Sequence, residues 1–432
     1  MASKNTAIKP DVAASRLSKN KSTQHAWMAM GALCLVSVAS SGITWNTLSL
    51  FADPIVNEWG IMRTQYQIVP TLIAGLNMVM SFLAFGALEK RFGIRKLMVA
   101  GLFVMGVAMA VFACSNGIIP LYIAATLWGI GLSWEANSMR NTAVMQWFAK
   151  RQSTMISIVA MVGQGTGIVF VALFGYLLTL TGWRPLMWAC CAVCVVCAVL
   201  CGFLYKGKPS DIGEKPLYAD EVATEAAVDE GAPEEESGAT FKEMLKSAKF
   251  YVLFLGWVLI GIAGDAIMAN LVLIGIDLGF EAQSALALSV CLLASTILSP
   301  VGGWMCDMFG CKPYIALSMA LLIAACVVLL TGAVSLPVFF VIAVILGNAW
   351  NATVVPAASS TVEGFGNRDF AQKNTIFVAA QCLGVSLAPT VFSLFYDFGG
   401  QTYESGYVFI IAVAVLTVVL FFIGTKHSKV HS

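Results

Sequence analysis

Residues 121–151 read LYIAATLWGIGLSWEANSMRNTAVMQWFAKR. The stretch is too long and too apolar for an ordinary surface helix. A polar turn, Ser115-Asn116-Gly117, precedes it, and the basic pair Lys150-Arg151 closes it. Yet Glu135 and Arg140 lie well inside. Arg140 stands ten residues before Lys150, so about 15 Å along a helix axis. That is roughly half the depth of a ~30 Å hydrocarbon core. Arginine at such depth costs between ~3 and ~15 kcal/mol, depending on the reference system. A chain that keeps one turns it toward a partner or a water-filled cavity. The two readings are a structural ion pair between helices and a site for an anionic solute.

The same character extends outward. The 432 residues are 59% hydrophobic and 11% charged, against about 25% charged in soluble domains. The mean hydropathy is +0.82, so most of the chain belongs in lipid. The net charge of +1 says little by itself. Twelve cysteines fall almost entirely in apolar runs, as at Cys190, Cys191, Cys194 and Cys197. No Cys-x-x-Cys pair is flanked by loop residues or histidines, so neither zinc nor a disulfide framework is indicated. Small apolar packers is the better reading. His25, His427 and His431 sit at membrane edges or in the tail, which leaves histidine-based catalysis no material in the interior.

Twelve apolar segments are long enough to span: 26–50, 66–87, 95–114, 118–147, 153–178, 185–205, 250–278, 283–304, 313–332, 336–361, 374–396 and 405–425. Lipid offers backbone groups no partners, so each is expected to be a helix. The predicted fold class is an all-α polytopic membrane protein. Residues 1–25 are polar and basic, expected as a disordered cytosolic tail rather than a secretory signal. Residues 206–249, with the run Glu234-Glu235-Glu236, are expected as a flexible acidic cytosolic linker, with a short amphipathic helix over 241–249. It divides the spans into bundles over 26–205 and 250–425, and residues 426–432 form a second cytosolic tail. With both termini in the cytosol, 22 of the 25 basic residues face that side. Arg63 and Arg184 are then outside and Arg140 is within the membrane. The positive-inside rule selects this orientation.

The halves repeat. Gly131-Leu-Ser-Trp134-Glu-Ala136 returns in the second half as Gly347-Asn-Ala-Trp350-Asn-Ala352. At nearly the same offset, Gln164-Gly-Thr-Gly167 returns as Gln381-Cys-Leu-Gly384, and Gly86, Phe92 and Gly93 return as Gly303, Phe309 and Gly310. Both copies begin on the same side, so the repeats are parallel, related by an axis along the membrane normal. Such pairs hold their site between the halves near the midplane and work by rocking one half against the other.

With these residues in view, the chain resembles the major facilitator superfamily. The loop after span 2, Gly86-Ala-Leu88-Glu89-Lys90-Arg91-Phe-Gly93-Ile-Arg95-Lys96, is similar to the family pattern Gly-x-Leu-x-Asp-Arg-x-Gly-x-Arg/Lys, and its second copy retains Asp307 and Gly310. The resemblance implies a cytosolic gating latch at Gly86, Glu89, Arg91, Gly93, Asp307 and Gly310. Lys90 occupies the first copy's acid slot, so that copy is expected to latch differently. Trp147-Phe148 with Lys150-Arg151, the Gly-rich fifth span and Gly182-Trp183-Arg184 resemble the branch of oxalate/formate antiporters and monocarboxylate transporters. That branch carries arginine before the span 8 proline and, in oxalate exchangers, lysine in span 11. Here those slots are Ser299 and Gln381. A small dianion is therefore not expected; one remaining cation, Arg140, suits a monoanion on a larger apolar body.

In that fold spans 1, 4, 7 and 10 line the central cavity. The candidate solute-binding residues are Arg140, Asn137, Trp45, Trp134, Trp350, Asn351 and Gln381. Asn137 and Arg140 are three apart and share a helix face. Glu135 is about 140° round from Arg140 on an unbroken helix, so it is expected to point toward a neighbouring helix. Asp265, mid-span 7, is the expected partner or rival of Arg140. Desolvation favours its neutral form, pairing with Arg140 its charged form. The coupling proton is assigned to Asp265 or Glu135. The three tryptophans read equally as packing residues, and Gln164 and Gln381 read better as glue between helices. Gly163-x-Gly165-x-Gly167 looks like a nucleotide loop, but no strand precedes it, so close helix packing is expected.

The expected function is a secondary carrier of an organic monoanion, coupled to a proton or exchanged for another anion. The runner-up is a proton-driven exporter of apolar or drug-like compounds. A sensor or scaffold would need a soluble domain, and an enzyme a metal cluster, nucleophile–base pair or phosphate loop; the sequence offers none of these. The expected partners are the anion, its counter-ion and the bilayer. No cofactor, metal or nucleic acid is expected, and the protein is expected to be a monomer.

Overall fold

The structure is a computed structural model that describes residues 10–83, 88–135, 137–149, 152–214, 216–218, 238–366 and 368–425. Among these, eleven helices are long and apolar enough to cross a membrane. The remaining expected span, 2, is helical over Arg63–Leu83 but less apolar, with Arg63, Gln65, Gln67 and Asn77 in it. Spans 3, 5 and 6 are Ile94–Ala113, Gln152–Thr181 and Trp183–Leu204. Spans 8, 9, 11 and 12 are Glu281–Phe309, Cys311–Leu330, Phe370–Phe398 and Glu404–Gly424.

The other four spans are interrupted. Span 1 begins as an α-helix over Pro10–Ser37 and continues as a π-helical stretch over Val38–Trp45. Its helix reaches back into the segment expected as a disordered tail. Span 4 is two helices, Ile118–Trp134 and Asn137–Trp147. Span 7 is Ala248–Ala269 followed by Leu271–Asp277, with Asn270 at the joint. Span 10 is Leu336–Val354 followed by Ala357–Phe365. Here Pro356 explains the joint, since it has no N–H to continue the ladder. The linker contributes a short helix at Phe241–Lys246, capped by Thr240 and Glu243.

Spans 1–6 pack on one another, as do spans 7–12, and the two bundles meet where span 2 lies on span 11 and span 5 on span 8. The repeat is visible in backbone geometry. Gly93 and Gly310, at equivalent places in the two halves, adopt φ of +78° and +84°. This is a conformation that glycine reaches without steric cost, and each opens the following span. The offset between these two glycines corrects one pairing. Gly131 in span 4 packs against Gly101 in span 3. The same offset applied to Gly131 lands on Asn348, which donates to Ser318 in span 9 at 3.0 Å. The counterpart of Gly131 is therefore Asn348, and the match to Gly347 is one residue out of register.

Close helix approach accounts for Gly163 and Gly167 of span 5, which pack on Ser37 and Asn46 of span 1, but not for Gly165, which faces open space. A Cβ on Gly163 would collide with Ser37 Oγ of span 1, and one on Gly384 of span 11 would collide with the Val258 carbonyl oxygen of span 7.

Candidate functional site

The two halves of span 4 separate at Glu135, whose backbone leaves the helical region (φ −119°, ψ 15°). Glu135 is 0% and Arg140 4% exposed. The angular separation expected between them presumes a continuous helix. The break removes that geometry, and among the described residues Glu135 is a charge that acts on Arg140. Asp265, the expected partner, has no charged side chain acting on it among the described residues. Arg140 Nη1 donates to Ser40 Oγ at 3.1 Å, and Ser40 Oγ donates to Val36 O at 2.9 Å. Ser40 lies in the π-helical stretch of span 1. Such stretches occur mostly as local bulges at functional positions. Neither carboxylate oxygen of Glu135 has a hydrogen bond of good geometry among the described residues; the Ser40 hydroxyl, which accepts from Arg140, is the polar side chain that also acts on it. Its Cγ lies beside Gly101 of span 3, where a methyl group would touch it at 3.5 Å.

A small cavity of about 70 Å³ lies between the halves. Among the described residues, Asp265 is its only acidic or basic lining group; Trp45, Asn46 and Gln67 supply further polar groups, and Leu288, Leu292, Met268 and Val385 an apolar wall. The lining comes from spans 1, 2, 7, 8 and 11, so the described residues of spans 4 and 10 do not contribute to it. Arg140 and the cavity are separate features of this conformation.

Above the cavity, at the face away from the chain ends, polar side chains join the halves. Arg63 forks onto Asp277 at 2.5 and 2.6 Å and donates to Tyr403 Oη at 3.2 Å. Its guanidinium also lies 4.0 Å from the centre of the Tyr396 ring, a favourable placement for a cation. Gln67 Nε2 donates to Asn270 Oδ1, as does Ser393 Oγ, each at 3.0 Å. Thr71 and Thr390 hydroxyls meet at 2.7 Å, and Asp397 accepts from Thr64 N at 2.7 Å. Sequence reasoning missed this seal, although it noted Arg63 as one of two basic residues on that side. The other, Arg184, pairs with Glu58 at 2.6 Å within one bundle.

The remaining candidates scatter. Trp45 lines the cavity. Trp134 ends the first helix of span 4, and its buried Nε1 has no partner among the described residues. Asn137 opens the second helix; its side chain is outside the description. Trp350 is half-buried and does not line the cavity. Asn351 donates to Ser295 O at 2.8 Å and accepts from Ser295 Oγ at 3.2 Å, so both its ends are held by span 8. Gln381 donates to Thr353 Oγ1 at 3.4 Å, tying span 11 to span 10. Of the latch residues, Gly86 lies outside the described residues. Glu89 and Asp307 form no side-chain hydrogen bond or ion pair among the described residues. Arg91 is exposed beside Phe92. A different acid acts there: Glu363 accepts from Cys311 N at 2.8 Å, capping the start of span 9.

Comparison with known proteins agrees with this architecture. A sequence model described as Major Facilitator Superfamily matches residues 33–370 and 282–432. No curated protein matches. Among solved structures, the nucleoside transporter NupG superposes with a TM-score of 0.71 at 10% identity, covering 95% of this chain and 100% of that one. A point mutant of the same transporter gives 0.72 at 10% identity, covering 92% and 100%. A bacterial homologue of the human lysosomal transporter Spinster, inward-facing and occupied, gives 0.67 at 13% identity, covering 93% and 96%. At these identities the likeness is one of fold.

Proposed function

Because the chain belongs to the major facilitator superfamily, and is thus a secondary transporter working by alternating access, we propose that its cargo is an organic monoanion with a sizeable apolar body. We place it in the cell membrane with both termini cytoplasmic. The observation that carries the cargo reading is Arg140. It is a cation kept in the membrane interior beside a helix break, within the field of the buried Glu135 carboxyl. Arginine keeps its charge in any protein environment, whereas glutamate can become neutral. A proton on Glu135 therefore withdraws one negative charge from the surroundings of Arg140. The carboxylate of the cargo then takes the place of the Glu135 charge. Asp265 stands in the cavity through which the cargo moves, and its protonation removes the repulsion an anion would meet there. The apolar wall of the cavity receives the cargo's body. Substrate and proton thus travel together.

Uptake of labelled monocarboxylates into proteoliposomes, with and without a pH gradient, tests this. Gradient-driven uptake is expected in the wild type, with loss in R140Q. In D265N, uptake should no longer respond to the gradient. Cargo-dependent uptake by R140Q equal to wild type would overturn the assignment.

A second reading has its own support. Since Asp265 is the only acidic or basic group among the described residues that line the cavity, an exporter of apolar or cationic drug-like compounds fits that chamber. Competition by lipophilic cations, and none by monocarboxylates, would favour it.

A further inference from the structure

A second concavity lies on the outside of the N-terminal bundle, away from the transport route. It is formed by spans 3 and 6, with Arg95, Lys96, Val99, Ala100 and Phe103 on one wall and Gly202 on the other. Residues 95, 99 and 103 recur every four positions, as do 96, 100 and 104, so both rows run along one helix face. The rows change character with depth: cations at the end of the span, then only apolar groups. From Arg95 to Phe103 is about 12 Å of helix, the reach of the upper part of an acyl chain. Phe103 is exposed, as a lipid-facing ring should be. Arg95 is fixed across the mouth, with Nη2 donating to Gly202 O at 2.5 Å. Gly202 faces Val99 across the groove: a Cβ there would lie 3.7 Å from Val99, in ordinary contact, so only a larger side chain fills the space.

We propose that this groove seats one anionic phospholipid, its headgroup on Arg95 and Lys96 and one acyl chain along Val99 and Phe103. Basic pockets between membrane helices on the cytoplasmic side recognise anionic headgroups through this combination of charge and depth. The seat backs onto the proposed transport switch. Gly101, next in the chain to Ala100, is the residue against which Gly131, Trp134 and Glu135 pack. A lipid wedged behind span 3 therefore presses on the segment that holds the Glu135 break.

Native mass spectrometry of the full-length protein, exchanged from detergent into added phosphatidylglycerol or phosphatidylcholine, tests the seat independently of transport. One phosphatidylglycerol is expected to remain bound under conditions that strip phosphatidylcholine. Its retention should fall roughly tenfold or more in R95Q/K96Q. Gly202→Leu, which fills the groove and leaves both charges, should lower it as well. Equal retention of the two lipids overturns the proposal, as does phosphatidylglycerol binding that neither variant weakens. A drop in R95Q/K96Q with none in Gly202→Leu means surface adsorption only. Displacement by inorganic phosphate means a site for the free anion. Either result also overturns it.

Discussion

Arg140 and Glu135 are buried together, but they do not respond alike to the loss of the other. Removing Arg140 leaves a carboxyl that escapes its cost by binding a proton; removing the Glu135 charge leaves a guanidinium that has no such escape. E135Q should therefore destabilise the protein more than R140Q. The difference at neutral pH should be on the order of 2 kcal/mol, within the range for breaking a buried pair from one side. Thermal melting in detergent, followed by tryptophan fluorescence, measures it. Replacing both with apolar residues, as in E135L/R140M, should recover stability toward wild type while abolishing uptake. R140Q melting below E135Q would mean that the pair is not the principal electrostatic feature of the break. The sequence marked Arg140 through depth alone. It misdirected Glu135 because angular arithmetic needs an unbroken helix, and no proline or glycine between Trp134 and Arg140 announces the joint.

At the scale of elements, the spans were legible because lipid permits so few solutions. A long apolar run with its polar residues at the ends is a helix wherever backbone groups have no water. The interruptions were not legible, with span 10 the exception, where Pro356 marks the joint. In span 7 the joint is at Asn270, whose amide serves the facing bundle as much as its own helix. A residue chosen for a partner in the other bundle leaves no local signature. Helix packing gives a sharper test. Gly384→Ala would drive a methyl group into the Val258 carbonyl, a backbone atom that cannot rotate away. It should cost upward of about 2 kcal/mol as an overpacked core does. Gly165→Ala enters open space and should leave yield and melting unchanged. Comparison of folded yield by size-exclusion chromatography reads both. Equal behaviour would remove the packing explanation for Gly384.

At the scale of the molecule, two bundles that touch at one face and enclose a cavity beneath it are caught in one of two alternative states. The stability of that state is set largely by contacts that exist in it alone. Arg63 is the centre of these: an arginine of the N-terminal bundle held by Asp277, Tyr396 and Tyr403 of the other. Nothing in the local sequence connects Arg63 to Asp277, 214 residues away; only the duplicated architecture brings them together. Truncating one side of a buried charge pair typically costs ~2–5 kcal/mol, and because Asp277 is only part-buried the lower end applies here. The lower end is about a thirtyfold shift in the ratio of the two states, and inverting a 99:1 ratio takes about 5.5 kcal/mol. D277N alone should therefore populate the state open at that face measurably without making it dominant. D277N combined with Asn270→Ala, which also removes the acceptor for Gln67 and Ser393, should carry it further. Spin labels at Asn57, in the short helix Ala52–Trp59, and at Thr402, in the turn before span 12, would report the change as a second, longer distance whose share rises from wild type to single to double variant. The charge exchange R63D/D277R keeps the pair while reversing it, so it should return most of the population to the short distance. If the distance distribution in D277N matches wild type, the closed face is held by helix packing and not by Arg63. The polar seal would then be a consequence of closure rather than its cause.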